Sequence, residues 1–157
     1  MIAISSLLSR DRILLEGAGP VSPEAAVTAV VGLLRTNPHV ISWEKLASGL
    51  SVGEKAPCAA LRGCEFAVCI PHVRTDAVSG MVMGMGRFVE GVRFEGCPVP
   101  VRYIFCIGLP PAMNADYLAV VGLLTRFLRS PGREMELQQA ESAEHVLEIL
   151  VRFQAGI

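Results

Sequence analysis

The sequence predicts an α/β fold in which a central sheet carries helices on both faces. Strand-like apolar runs gather in the middle of the chain, and capped amphipathic helices precede and follow them. The composition agrees, at 52% hydrophobic against 18% charged over 157 residues. That balance supports a large core and excludes a disordered chain. A length between about 100 and 200 residues is that of one ordinary domain, so residues 1–157 are read as a single domain.

The elements follow in chain order. Arg12 to Leu15 reads as a first strand. Ser22-Pro23-Glu24 starts a helix, with a hydroxyl cap, proline at the first helical position and an acid facing the positive end of the dipole. Val27, Val30, Val31 and Leu34 continue it at helical spacing until Asn37-Pro38 stops it. Ser42 caps a second helix whose apolar face is Trp43, Leu46 and Leu50, and Gly53 breaks the pattern. Gly53 to Cys64 reads as a loop approaching the site described below. Strands are expected at Phe66 to Ile70, Met81 to Phe88 and Val99 to Ile107. Gly84 and Gly86 weaken the second of these and suggest that another element comes close to it; its methionines read as packing filler. Pro98 and Pro100 put the start of the next strand at an edge or turn. Three helices close the chain, at about Asn114 to Arg129, Pro131 to Ala140 and Ser142 to Phe153, the last capped by Ser142 and lined by Val146, Ile149, Leu150 and Phe153.

Several function classes are excluded by composition. No apolar run approaches the roughly 18 residues needed to span a bilayer, and no export signal is visible after Met1-Ile2-Ala3-Ile4. The five cysteines include no Cys-x-x-Cys pair and the three histidines are scattered, so no metal site and no cofactor is expected. Cysteines in apolar strands fit a reducing compartment, and the chain reads as cytoplasmic and soluble. A net charge of −1, with no arginine-rich or aromatic-interleaved segment, argues against nucleic acid. No Gly-x-Ser-x-Gly elbow, carboxylate pair or P-loop suggests an independent hydrolase.

The stretch that carries chemistry is Ile70-Pro71-His72-Val73-Arg74-Thr75-Asp76. Pro71 lacks an N–H and disfavours helix at Ile70, so the strand from Phe66 should end there and leave His72 at a strand end facing a loop. Neutral imidazole is a competent nucleophile at physiological pH. A single histidine after a strand is also a common packed or surface residue. Arg74 and Thr75 lie close enough to offer a cation and a hydroxyl, Arg74 being equally readable as a solvated arginine, while Asp76 is read as fixing the turn. His39 is expected to face solvent, and His145, in the first turn of the last helix, to be neutral and structural.

From about Ile4 to Phe153 the chain resembles the enzyme IIA domain of the phosphoenolpyruvate-dependent phosphotransferase system, in its fructose, mannitol and nitrogen-regulatory family. The most specific part is Cys69-Ile70-Pro71-His72-Val73-Arg74, where the family has Ala-Ile-Pro-His-Gly-Lys or Arg. Arg87 to Phe94, Pro100 to Phe105, Asp116 to Leu128 and Leu137 to Ser142 also resemble its segments. The resemblance implies a three-layer α/β/α sandwich with a mixed β-sheet. It also implies that His72 accepts a phosphoryl group from a histidine-containing phosphocarrier protein and passes it to enzyme IIB or signals to a regulated protein. Two departures stand out. Tyr117 occupies the position where many relatives carry a second histidine, keeping a hydrogen-bond donor but no imidazole. The family's glycine-rich stretch before the histidine strand is replaced by Gly53-Glu54-Lys55 and Leu61 to Ala67, with Arg62 or Lys55 available as the cation. An intact Ile-Pro-His in altered surroundings, with no IIB or IIC segment alongside, favours a regulatory member over a sugar-transport component. The alternative is a phosphorylation-incompetent module of the same fold that regulates a protein partner.

Overall fold

The computed structural model describes residues 2–15, 21–51, 58–61 and 63–156. The chain runs through α1 (Ile4–Leu7), β1 (Ile13–Leu15), α2 (Pro23–Gly32), α3 (Trp43–Leu50), β2 (Cys58–Ala60), β3 (Ala67–Cys69), β4 (His72–Arg74), β5 (Val82–Val92), β6 (Val101–Leu109), α4 (Asn114–Leu128), α5 (Pro131–Gln139) and α6 (Ala143–Gln154). Serine hydroxyls start three of the helices as their sequences predict. Ser22 Oγ accepts from the Ala25 N–H at 3.2 Å, Ser42 Oγ from Lys45 at 3.4 Å and Ser142 Oγ from His145 at 3.1 Å.

The sheet has the order β1-β5-β6-β3-β2, and β4 pairs with β6 beyond β3 on the same edge. It is mixed: β5–β6 and β2–β3 are antiparallel, while β1–β5, β3–β6 and β4–β6 are parallel. β6 is buried along almost its whole length because it lies in the middle of the sheet with both faces covered. Its alternation divides the core in two. Tyr103, Phe105 and Ile107 pack under α1, α4, α5 and α6, whereas Ile104 and Cys106 pack under α2 and α3. The three-layer sandwich with a mixed sheet is therefore the observed architecture.

The glycines of β5 explain how tightly α2 sits. A Cβ on Gly86 would lie 2.5 Å from Val30 Cγ2 and 2.9 Å from Phe88 Cε2, and one on Gly84 would lie 3.1 Å from the Val30 carbonyl oxygen. Gly86→Ala is expected to destabilise the protein by about 1–3 kcal/mol through overpacking. Gly32→Ala, where nothing stands within 4 Å, should be neutral or slightly stabilising. Urea denaturation of the two variants checks this, and equal stabilities would refute the close approach.

Three sequence expectations are corrected. Cys58–Ala60, read as loop, pairs with β3 as an edge strand. β5 continues past Phe88 to Val92, re-pairing with Val101 after a shift in register. The strand before Pro71 does not give way to a loop but resumes as β4. Proline cannot donate, yet the Pro71 carbonyl still accepts from the Ile107 N–H at 2.9 Å, so the ladder on β6 is carried across the break by its acceptor side. Between Ala67 and Val68 the pairing with β6 jumps from Val101 to Tyr103, which leaves Arg102 as a bulge residue. The bulge lets Arg102 and Tyr103, adjacent in sequence, both reach Glu134 on α5. Arg87 donates to the carbonyls of Leu137, Gln138 and Ala140, closing the C-terminal end of the same helix.

Candidate functional site

β4 sets the site. Its residues alternate, so Val73 turns towards α3, where it abuts Gly49, and His72 and Arg74 share the opposite side at the start of α4. Both are exposed. The His72 Nδ1 lies 2.8 Å from the Ile70 carbonyl oxygen. A carbonyl only accepts, so in the neutral ring Nδ1 carries the proton and Nε2 the lone pair. The break at Pro71 makes this possible, because it turns the Ile70 carbonyl out of the ladder and back towards the ring two residues on. The histidine is thus both oriented and reachable.

Tyr117 stands beside it, the two rings 5.1 Å apart between centroids and inclined at 33°. Burial pushes the phenol above its ordinary range, with the nearby Arg74 charge opposing, so Tyr117 remains a neutral donor at physiological pH. The Arg74 guanidinium lies 5.4 Å from the Tyr117 ring centroid and its Nε donates to Asn114 Oδ1 at 2.8 Å, a second guanidinium nitrogen donating to the same oxygen. Arg74 is therefore held over an aromatic face by one amide oxygen, with donors to spare out of the five a guanidinium carries. It is a positioned cation rather than a loose surface arginine.

The remaining expectations divide. Thr75 is buried on the other side of the strand, and its Oγ1 accepts from the Ala77 N–H at 3.0 Å; this hydroxyl stabilises the turn and is not presented alongside His72 and Arg74. Asp76 pairs with Lys45, consistent with a turn-fixing role. Arg62, like Lys55, lies outside the described residues. His39 is exposed and its Nδ1 faces Ser79 Oγ at 3.1 Å. His145 is likewise exposed, not packed. Asn114 was not legible as part of the site: a polar residue opening a helix reads as a cap, and only the fold brings it to Arg74, 40 residues away in sequence. Among the described residues no group of three or more His, Cys, Asp or Glu could hold a metal ion, and no helix is long and apolar enough to cross a membrane.

The comparisons with known proteins bear on the family and the fold. Residues 33–152 match the family described as phosphoenolpyruvate-dependent sugar phosphotransferase system, EIIA 2. A Haloferax volcanii protein described as the PTS system fructose-specific EIIA component is 34% identical over 92 residues, covering 58% of this chain and 60% of that protein; the match thus spans about three fifths of the relative. Nitrogen regulatory protein IIA-Ntr of Neisseria meningitidis superposes with a TM-score of 0.75 at 26% identity, over 94% of this chain and 98% of that one. IIA mannitol of Escherichia coli superposes at 0.67 and 21% identity, over 91% and 98%. The same likeness of fold holds for the Escherichia coli complex of enzyme IIA mannitol with phosphorylated enzyme IIB mannitol, at 0.62 and 20% identity over 96% and 98%.

Proposed function

Because the chain belongs to the EIIA 2 family of the phosphoenolpyruvate-dependent sugar phosphotransferase system, we propose that it is a cytoplasmic phosphocarrier that accepts a phosphoryl group on His72 Nε2. The observation that carries the reading is the Nδ1–Ile70 hydrogen bond on an exposed histidine, which assigns the lone pair of the neutral ring to Nε2. A phosphohistidine of a histidine-containing phosphocarrier protein is the donor. The Nε2 lone pair attacks phosphorus, a new N–P bond forms and the donor's N–P bond breaks. Arg74 and the Tyr117 hydroxyl supply the cation and the donor for the equatorial oxygens. The Ile70 carbonyl favours retention of the Nδ1 proton in the product. The phosphorylated ring then carries positive charge and is a good leaving group, which suits onward transfer.

The acceptor is enzyme IIB or a regulated protein. The likeness to a nitrogen regulatory protein supports the regulatory role, as does Tyr117 in place of a second histidine; the fructose-specific relative supports sugar transport. Incubation with phosphoenolpyruvate and the general phosphotransferase proteins of its host should give one acid-labile, base-stable phosphate per chain. A regulatory role predicts that the label stays on the chain when sugar-specific IIB proteins are added. Rapid passage to one of them would assign transport instead. No label at all, with the carrier active on another acceptor, would transfer the reading to an interaction module that does not use phosphate.

A further inference from the structure

Four of the five cysteines converge beside the strand that ends at the site. Cys69 and Cys106 are buried beneath α2 and α3, and Cys58 and Cys97, both half-buried, pack against the same cluster. Cys58 and Cys69 are direct partners across antiparallel β2 and β3. Opposed residues of such a pair stand about 4.5 or 5.5 Å apart at Cα and share one face of the sheet. Disulfides span Cα separations of about 4.4–6.8 Å, so the pair stands within bonding reach and closing it draws the two strands together only slightly. β2 ends the sheet among the described residues, and the partial exposure of Cys58 gives a small oxidant access to it.

We propose that Cys58 and Cys69 form a reversible disulfide, made by a hydroperoxide, and that its closure slows phosphoryl transfer at His72; the second half rests on the phosphocarrier reading. The roles of the two sulfurs differ. Cys58 is held below the ordinary thiol range mainly by a hydrogen bond from the Cys69 thiol, with burial opposing and Cys97 adding a smaller contribution. Cys69 is pushed well up by the same contact and by burial. Cys58 is therefore the attacking thiolate and Cys69 the resolving thiol. The Cys58 sulfur attacks the terminal peroxide oxygen, which keeps its proton, and the O–O bond breaks; the departing oxygen takes up the proton that Cys58 released on ionising and leaves as an alcohol or water, giving a sulfenic acid. The Cys69 sulfur then attacks the Cys58 sulfur, the S–O bond breaks, and the departing hydroxide takes the Cys69 proton to form water. Two thiols have lost two electrons and one hydroperoxide has gained them.

The link to His72 is one residue long. Ile70, whose carbonyl orients the imidazole, directly follows Cys69. Drawing Cys69 towards Cys58 shifts that carbonyl, and misplacement by an ångström of a group that orients a nucleophile costs up to roughly a hundredfold in rate.

The test uses the full reduced chain, treated with hydrogen peroxide, alkylated and digested without reductant. A Cys58–Cys69 peptide pair is expected, absent from Cys58→Ser and lost on treatment with dithiothreitol. Oxidised wild type should accept phosphate roughly ten- to hundredfold more slowly than reduced, while Cys58→Ser keeps the reduced rate before and after peroxide. A Cys58–Cys97 bond, a sulfinic acid on Cys58, or no loss of free thiols would overturn the site. A mapped Cys58–Cys69 bond with an unchanged rate would overturn its coupling to His72. A reduced wild type that takes no phosphate would instead be a failure of the phosphocarrier reading, and the peptide map would then decide the disulfide alone.

Discussion

His72→Ala is expected to abolish phosphoryl acceptance, with His39→Ala and His145→Ala labelled like wild type. All three histidines are exposed, so accessibility does not separate them. What does is the surrounding chemistry. His72 alone has Nδ1 tied to a backbone carbonyl and an arginine and a tyrosine beside it; His39 faces a serine hydroxyl and opens onto a turn. Arg74→Met should retain the fold and slow the transfer by about a hundred- to a thousandfold, the usual effect of removing one donor to a developing oxyanion. Tyr117→His should speed transfer if a second imidazole is what the site lacks, and leave it unchanged if the substituted segment before β3 limits the rate. Label remaining on His72→Ala, with the phosphorylated peptide mapped elsewhere, would refute the assignment of the nucleophile.

Glu134→Ala is expected to cost about 3–5 kcal/mol of stability, the range for removing one partner from a buried charge pair. Glu134 lies buried on α5 and accepts from Arg102 at 3.1 and 3.2 Å, from the Tyr103 hydroxyl at 2.6 Å and from Gln138 Nε2 at 2.8 Å. Burial and this carboxylate together raise the Tyr103 phenol far above its ordinary range, so it stays a donor. Without Glu134 the buried phenol loses this acceptor, and among the described residues Arg102 retains the Phe66 ring, 4.6 Å from its guanidinium. Replacing all three as Glu134→Leu, Arg102→Met and Tyr103→Phe should recover most of the loss, because the desolvation cost disappears with the charges. Equilibrium denaturation of the single and triple variants reads both effects. A single substitution costing under about 1 kcal/mol would show that the cluster behaves as an exposed ion pair.

The two predictions draw on features of different legibility. The strand break before His72 could be read from the chain because Ile-Pro-His is a local motif: proline acts on the residue before it and on its own missing donor, and neither effect needs a tertiary partner. The Arg102–Tyr103–Glu134 cluster could not, since it depends on a bulge in the pairing of β3 with β6, and register is a property of two strands. Cys58–Ala60 was missed for a similar reason. Three small residues carry little strand preference of their own, and they are extended because β3 offers an unpaired edge.

By itself the sequence determined the α/β class, the caps at Ser22, Ser42 and Ser142, the close approach announced by Gly84 and Gly86, and the break in the strand before His72. Each is dictated by the periodicity of apolar residues or by backbone chemistry within a few positions. Tertiary structure alone decided that β4 continues the sheet beyond Pro71, that Arg74 is held by Asn114 over Tyr117 while Thr75 turns away, and that Cys58 meets Cys69. Those outcomes depend on which strand supplies the missing hydrogen-bond partner and which face its side chains take, and a pairing between segments 40 residues apart leaves no trace in the local pattern of either one.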